Sequence, residues 1–264
     1  MILSLIKAAR CATKNTEFCT MGMVEPDATR EPAARGSILA EPPPYAAAAT
    51  SSGNATDHVV LDCGSFEAAR RLVERGCVRV AVLDFASDSE PGGGWRGNQQ
   101  GTQEESLCRA SSLGRALERL PYPIPTYGMA VVPEVLVLRD ERGGLLAQPF
   151  VVGAIAAALR ECGGDGAHIR KKAEGVCACA AALGYDGLVL GSWGCGAFGN
   201  DVGEVCGAFA QALRGPRFAG AFAAVAFADP RRWKKLRAKQ TSPTPTCLRS
   251  PATFKASKAR KRHV

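Results

Sequence analysis

A three-layer α/β domain with a largely parallel or mixed sheet is what this sequence predicts, on three observations. Short β-branched runs alternate with helix-length segments over residues 57–230. Two of those runs end in glycine-rich loops that lead into helices, which places both loops at the carboxyl edge of the sheet, where ligands usually bind. The flanking stretches, 1–56 and 231–264, lack the alternation altogether.

The first strand is expected in HVVLDCGS, followed by a helix in FEAARRLVERG that Gly76 closes. VRVAVLDFA reads as a buried strand, and a single helix is expected from Gln103 to about Leu120. GMAVVPEVLVLRD and QPFVVGAIAAAL read as strands, the first interrupted at Pro133. HIRKKAEGVCACAAALG should form an amphipathic helix stopped by Gly184, and GLVLGSWG a strand entering the second glycine loop. DVGEVCGAFAQALRG supplies the next helix and FAGAFAAVAFA the last strand. Residues 1–56, rich in Ala, Pro, Ser and Thr, read as a largely disordered leader, and 231–264 as a flexible basic tail.

Charge divides unevenly along the chain. Of its 33 Lys and Arg, twelve fall between Arg231 and Val264, where there is no acidic residue. The remainder holds 21 basic against 25 acidic residues, so the globular part is mildly acidic and the net charge of +8 belongs to the tail. Clusters such as KKLRAK and KARKRHV suit nuclear localisation or a nucleic-acid contact, and equally a solvated tail. Eleven scattered cysteines without a CxxC pair argue against a disulfide framework or a zinc site, and for a reduced intracellular protein, cytoplasmic or nuclear. The apolar start MILSLI is too short to span a membrane. Three histidines, none in a motif, make His-based catalysis improbable; His168, at a helix start, is expected to face solvent.

The two loops hold the chemistry. The first, PGGGWRGNQQGTQEESL, joins Gly92, Gly93 and Gly94 to the triplet Gln103-Glu104-Glu105 across eight residues. Thr102 and Glu105 fit a capping box, which by itself explains Glu105 and contributes about 1 kcal/mol to the helix. A cap does not need three glycines, each costing roughly 1 kcal/mol relative to alanine when ordered; a backbone cradle for a ligand does. The second loop, Gly194-Cys195-Gly196-Ala197-Phe198-Gly199, suits a phosphate or diphosphate at a helix N-terminus and lacks the Lys-Ser/Thr of a P-loop. Cys195 has no basic neighbour in sequence and reads as a packing residue, while Trp95 and Trp193 could stack on bases or wall the pocket.

DFASDSEPGGGWRGNQQGTQEESLCRASSL resembles the signature of poly(ADP-ribose) glycohydrolases in their compact, bacterial-type branch, and LVLGSWGCGAFGNDVGEV is similar to that family's diphosphate loop. The resemblance covers about 58–230 and implies a three-layer α/β/α macrodomain-like fold with a mixed sheet. It implies hydrolysis of the ribose–ribose glycosidic bond of poly(ADP-ribose), without cofactor or metal. By position, Glu105 would be the catalytic acid and Glu104, next to Gln103, would hold ribose hydroxyls. Gly92, Gly93 and Gly94 would lie against the distal ribose and phosphate. The stretch Gly194, Cys195, Gly196, Ala197, Phe198 and Gly199 would wrap the diphosphate, and Phe66 and Glu67 would match the adenine contacts. Asp84 departs from the asparagine that bacterial-type members often carry.

Neighbouring helix residues point about 100° apart, so Glu104 and Glu105 do not flank one bond as paired glycosidase carboxylates do. One residue acting as acid and then base is expected instead. Two other functions fit the same residues: an ADP-ribose-binding macrodomain without turnover, and a hydrolase of mono-ADP-ribosylated proteins. The expected partners are ADP-ribose, its polymer and ADP-ribosylated proteins, with nucleic acid at the tail, and the expected state is a monomer away from membranes.

Overall fold

The computed structural model describes residues 36–45, 56–97, 101–160, 163 and 165–228. The tail 231–264 and most of the leader lie outside them. Seven strands, β1 (Ser37–Leu39), β2 (Asp57–Leu61), β3 (Val80–Phe85), β4 (Met129–Arg139), β5 (Leu145–Ala157), β6 (Gly187–Leu190) and β7 (Ala224–Ala228), form one mixed sheet. Their order is β1-β4-β5-β3-β6-β7-β2. The five from β5 to β2 run parallel, and β4 and β1 join antiparallel. Helices α1 (Ser65–Glu74), α2 (Gln103–Ala110) and α3 (Leu113–Leu117) cover one face, and α4 (Gly166–Ala182) and α5 (Val202–Arg214) the other.

The alternation of β3 shows how the layers are filled. Val80 and Val82 point into the α1–α3 layer, Ala81 and Leu83 into the α4–α5 layer, and all four are buried. Such two-sided burial is why parallel strands read as continuous apolar runs. Asp84 breaks the run. By the period of two it joins Val82 on the α1–α3 side, and it is 0% exposed.

Topology locates the crevice. After β3 the chain moves to β4 and β5 on one side, and after β6 it moves to β7 on the other. The switch therefore lies between adjacent strands β3 and β6, at whose carboxyl ends the two glycine loops emerge.

Three expectations are corrected. Order begins before residue 57, because Ser37–Leu39 pairs with Met129–Val131 as an edge strand. Pro133 does not interrupt β4: the strand runs through it with a register shift between Val132 and Val135, where the missing N–H costs no ladder bond. The helix from Gln103 to Leu120 is two helices. Ser111 adopts an extended conformation and bridges Val137, while the Ser112 hydroxyl accepts the Leu136 N–H at 3.0 Å and its own N–H donates to the Leu136 carbonyl. The helix α4 is amphipathic in its first half, with Ala167, Arg170, Lys171 and Glu174 exposed, and buried from Gly175 to Ala180, where α5 packs against it.

Ser112→Ala leaves the buried Leu136 N–H without its acceptor, at a cost of about 1–3 kcal/mol. Thermal unfolding should show a midpoint lowered by several degrees, with the secondary structure intact by circular dichroism.

Candidate active site

Gln103 opens α2 and anchors it to the sheet. Its side-chain oxygen accepts the Phe85 N–H at 2.9 Å, and its amide nitrogen donates to the Leu83 carbonyl at 2.8 Å and the Ser65 hydroxyl at 3.0 Å. All three partners belong to the fold, so this amide positions the helix start over the end of β3. Thr102 caps the helix, and the full capping box is present.

The next two residues are pinned beneath the glycine loop. Glu104 is 3% exposed and Glu105 5%. One Glu104 oxygen accepts the Ser87 N–H at 2.8 Å; the other has no partner. Glu105 serves two structures at once. Its Oε2 accepts the Thr102 N–H at 3.4 Å in the cap, and its Oε1 accepts the Gly94 N–H at 3.2 Å. Both bonds are long, so they orient the carboxyl without fixing it. The cap and the cradle are thus one arrangement rather than alternatives.

The glycines earn their places for distinct reasons. Gly92 has φ +74°, and a Cβ there would fall 2.6 Å from the Trp95 ring. Gly93 has φ +55°, and a Cβ would sit 3.2 Å from Glu104 Oε2. Only glycine takes these conformations without strain and lets backbone lie against the carboxylates. Arg109, which sequence reasoning did not single out, holds the loop from behind: its guanidinium donates to the carbonyls of Trp95, Gly94 and Gly97 at 2.9, 3.3 and 3.2 Å. Its signal was its place in the last turn of the helix that begins with the triplet, within reach of the loop. Trp95 packs over Gly92 and Gly114 and donates to Glu118, so it walls the loop.

In the second loop Gly194 has φ +68°, and a Cβ would lie 2.5 Å from the Leu159 carbonyl. The Asn200 amide donates to the carbonyls of Leu159, Arg160 and Gly194 at 2.9, 3.2 and 3.1 Å, tying the loop to the end of β5. Cys195 is buried, its thiol toward the Trp193 carbonyl at 3.4 Å, and the Trp193 indole donates to the Ala157 carbonyl at 2.7 Å. Both are parts of the loop's foundation. Gly196, Ala197 and Gly199 are exposed, and a Cβ at Gly196 or Gly199 would meet only open space. Phe198 is half-buried, with the Arg160 guanidinium 5.6 Å from its ring.

Arg160 is the second residue missed. Besides Phe198 it pairs with Asp88, Nε to Oδ2 at 2.6 Å, and so links the two loop regions. Arg160 and Asp88 border a small pocket with Thr126, His168 and Lys172. His168 is half-buried rather than solvent-facing: its ring meets the Tyr127 hydroxyl at 3.2 Å, and burial followed by Lys172 lowers its pKa. No sequence motif marks Arg160; only the folding of β5 under the second loop brings it there. The adenine candidates lie at the start of α1. Phe66 is packed into the core at 7% exposure, and Glu67 is bound at 2.8 Å by both Arg70 and Arg71. Ser65, beside them, joins this corner to Gln103. Among the described residues no group of His, Cys, Asp and Glu is placed to hold a metal, and no helix is long and apolar enough to cross a membrane.

Electrostatics single out Glu104 and Asp84. Burial, then the Asp84 charge, pushes Glu104 up to about 9, and burial pushes Asp84 up to about 7. Both carboxyls gain proton affinity on folding. Their contribution to stability is therefore complete below their unfolded values and is lost as pH rises through about 7 and about 9. The unfolding midpoint should accordingly fall between pH 5 and pH 9, roughly the interval that separates the unfolded and folded ionisations. A flat or rising midpoint there would contradict the assignment. The second loop gives a paired test. Gly194→Ala should lower the midpoint by several degrees through its close contact with Leu159, an effect of about 2 kcal/mol or more, whereas Gly196→Ala should leave it unchanged.

Residues 8–127 match the family model of the microbial-type PARG catalytic domain. The match begins inside the stretch read as leader. No curated protein sequence matches the chain. The poly(ADP-ribose) glycohydrolase of Thermomonospora curvata is 34% identical, with a TM-score of 0.64 over 73% of this chain and 79% of that one. The same enzyme bound to the inhibitor ADP-HPD is 36% identical, with a TM-score of 0.59 over 66% and 73%. The poly(ADP-ribose) glycohydrolase of Deinococcus radiodurans in complex with ADP-ribose is 34% identical, with a TM-score of 0.59 over 67% and 77%. With its crevice, its glycine cradles and its buried glutamate pair, the chain belongs to the microbial-type poly(ADP-ribose) glycohydrolase family.

Proposed function

We infer that this protein hydrolyses the ribose–ribose glycosidic bond of poly(ADP-ribose) and releases ADP-ribose. The observation that carries the inference is the contact of Glu105 with Gly94: a carboxyl at the edge of the cleft, held by the backbone of a glycine cradle. A sugar lying on that cradle would present its glycosidic oxygen to Glu105.

In this reading Glu105 protonates the leaving oxygen as the bond lengthens, and its carboxylate then takes a proton from the attacking water. The distal ribose gathers positive charge in between, and the carboxylate left on Glu105 by the proton transfer stabilises that charge. Glu104, held by the Ser87 N–H, takes the ribose hydroxyls. Gly92, Gly93 and Gly94 receive the sugar and its phosphate. Gly196, Ala197 and Gly199 offer backbone to the diphosphate, and the first turn of α5 adds the favourable end of its dipole. Phe198 packs on the sugar. The N-terminus of α1 would receive the adenine, with Phe66 as its floor. ADP-ribose is the product and ligand of the site, and ADP-ribosylated proteins are the carriers of its substrate. The domain limits, the monomeric and intracellular state, and a nucleic-acid contact through the basic tail belong to the same proposal.

Labelled poly(ADP-ribose) tests it. The wild-type protein should release ADP-ribose, and Glu105→Gln should slow that release by about 10²-fold or more while still binding the polymer. Binding without release by the folded wild type would make the protein a reader, and release only from mono-modified protein would move the activity to that linkage.

A further inference from the structure

The carboxyl edge of the sheet does not end at the two cradles. Past the end of β5 lies a pocket of about 60 Å³, lined among others by Asp88, Thr126, Ala158, Arg160, His168 and Lys172. A water molecule needs roughly 10–15 Å³ of such space, so the volume admits a small polyatomic ion. Its walls carry charge. Lys172, on the second turn of α4, is only 8% exposed; its ammonium donates to the Thr126 carbonyl and lies 6.0 Å from the Trp193 ring. Lysine seldom sits so deep, and here it brings a cation to the wall of a cavity. Arg160 is exposed and binds Asp88, the one carboxylate of the lining.

His168 reports the sign of this surface. Burial first, and then Lys172, lower its pKa; Asp165 opposes them and Lys171 adds to them. Around its ring stand these three residues of its own helix region, the Tyr127 hydroxyl at 3.2 Å from the segment before β4, and Arg160 and Asp88 in the pocket lining. Lys171 also packs on Tyr127, its ammonium 3.7 Å from the ring centre. Two permanent cations in a small, partly buried volume repel a further cation and attract an anion.

Position names the anion. From one edge inward the strands run β2, β7, β6, β3, β5. The α1 corner follows β2, the second glycine loop follows β6, the first follows β3, and the pocket follows β5. Asp88 is the next residue after Ser87, whose N–H holds Glu104. The pocket therefore adjoins the cradle on the side away from the α1 corner. A nucleotide laid from α1 to the cradle ends at the bond to be cut, and a polymer continues from there toward β5.

We propose that the pocket after β5 is an anion subsite that takes a phosphate of the polymer unit beyond the scissile bond, through Lys172, Arg160 and His168. A single ADP-ribose unit does not reach it, so the subsite selects the polymer over a lone unit. The identity of the anion rests on the glycohydrolase reading; the existence of the subsite does not.

Two measurements on the full chain test it. The first is binding of ADP-ribose and of a short poly(ADP-ribose) chain to the Glu105→Gln protein, with Lys172→Met or His168→Glu added. Lys172→Met should weaken polymer binding about tenfold and ADP-ribose binding less than about twofold. His168→Glu puts a carboxylate in the pocket and should weaken polymer binding selectively by about tenfold. Equal weakening toward both ligands, or polymer affinity unchanged in His168→Glu, overturns the proposal. If Lys172→Met fails to fold, judged by circular dichroism, His168→Glu decides. The second is proton NMR of the histidine rings from about pH 5 to pH 8, with His168→Gln to assign the signal and sulfate as the probe, since sulfate keeps its charge throughout. Sulfate should raise the His168 midpoint by about half a pH unit or more. No shift overturns the pocket, whatever the protein does with the polymer. A shift without a selective effect on polymer binding makes it a site for a free anion and overturns the polymer subsite. A shift in a protein that neither binds nor cuts the polymer supports the anion pocket and faults the glycohydrolase reading.

Discussion

The carboxamide of Gln103, locked onto the carboxyl end of β3, is the constraint from which the site follows. Its two backbone bonds to Leu83 and Phe85 fix where α2 begins, and its bond to Ser65 brings the start of α1 to the same corner. With the helix start fixed, Glu104 is driven down into the layer and Glu105 along the loop, because successive residues diverge around a helix. Both side chains end up buried, Glu104 with the Ser87 N–H and Glu105 between the helix cap and the loop backbone. The first two letters of the triplet thus build the platform on which the third is presented.

Two adjacent glutamates thereby have unlike surroundings. Glu104 is surrounded by acid and apolar groups, and its proton affinity rises accordingly. Glu105 has two backbone donors at long range, one from the cap and one from the cradle. In the proposed reaction the Glu105 carboxyl would have to give up its Thr102 contact to the substrate.

The fold was legible where burial is two-sided or where a cap has a signature. The β-branched runs of β3, β6 and β7, Gly76 and Gly184 at helix ends, and the Thr102 box could all be read directly from residue types. Features that depend on partners distant in sequence were not. Nothing local in LCRASSLGRAL announces the break at Ser111 and Ser112; the backbone of β4 creates it. Edge strand β1 is three residues in a stretch of weak propensity, and pairing alone makes it a strand. The cradles were legible as glycine patterns, whereas Gly194 proved to be demanded by the Leu159 carbonyl. Arg109 and Arg160 carried no motif, since a single arginine announces itself only through what surrounds it.

The grip of Arg109 on the first loop has an electrical consequence. Three successive or near-successive carbonyl oxygens, of Gly94, Trp95 and Gly97, are turned to one guanidinium. In a trans peptide the N–H that follows the Gly94 and Trp95 carbonyls points the opposite way, so this part of the ribbon has a negative rim against the arginine and a positive rim away from it. Oriented amides of this kind attract anions whatever the formal charge of the domain. A domain with more acidic than basic residues can therefore greet a chain of phosphates with a surface of the right sign, made of backbone and invisible to any count of lysines.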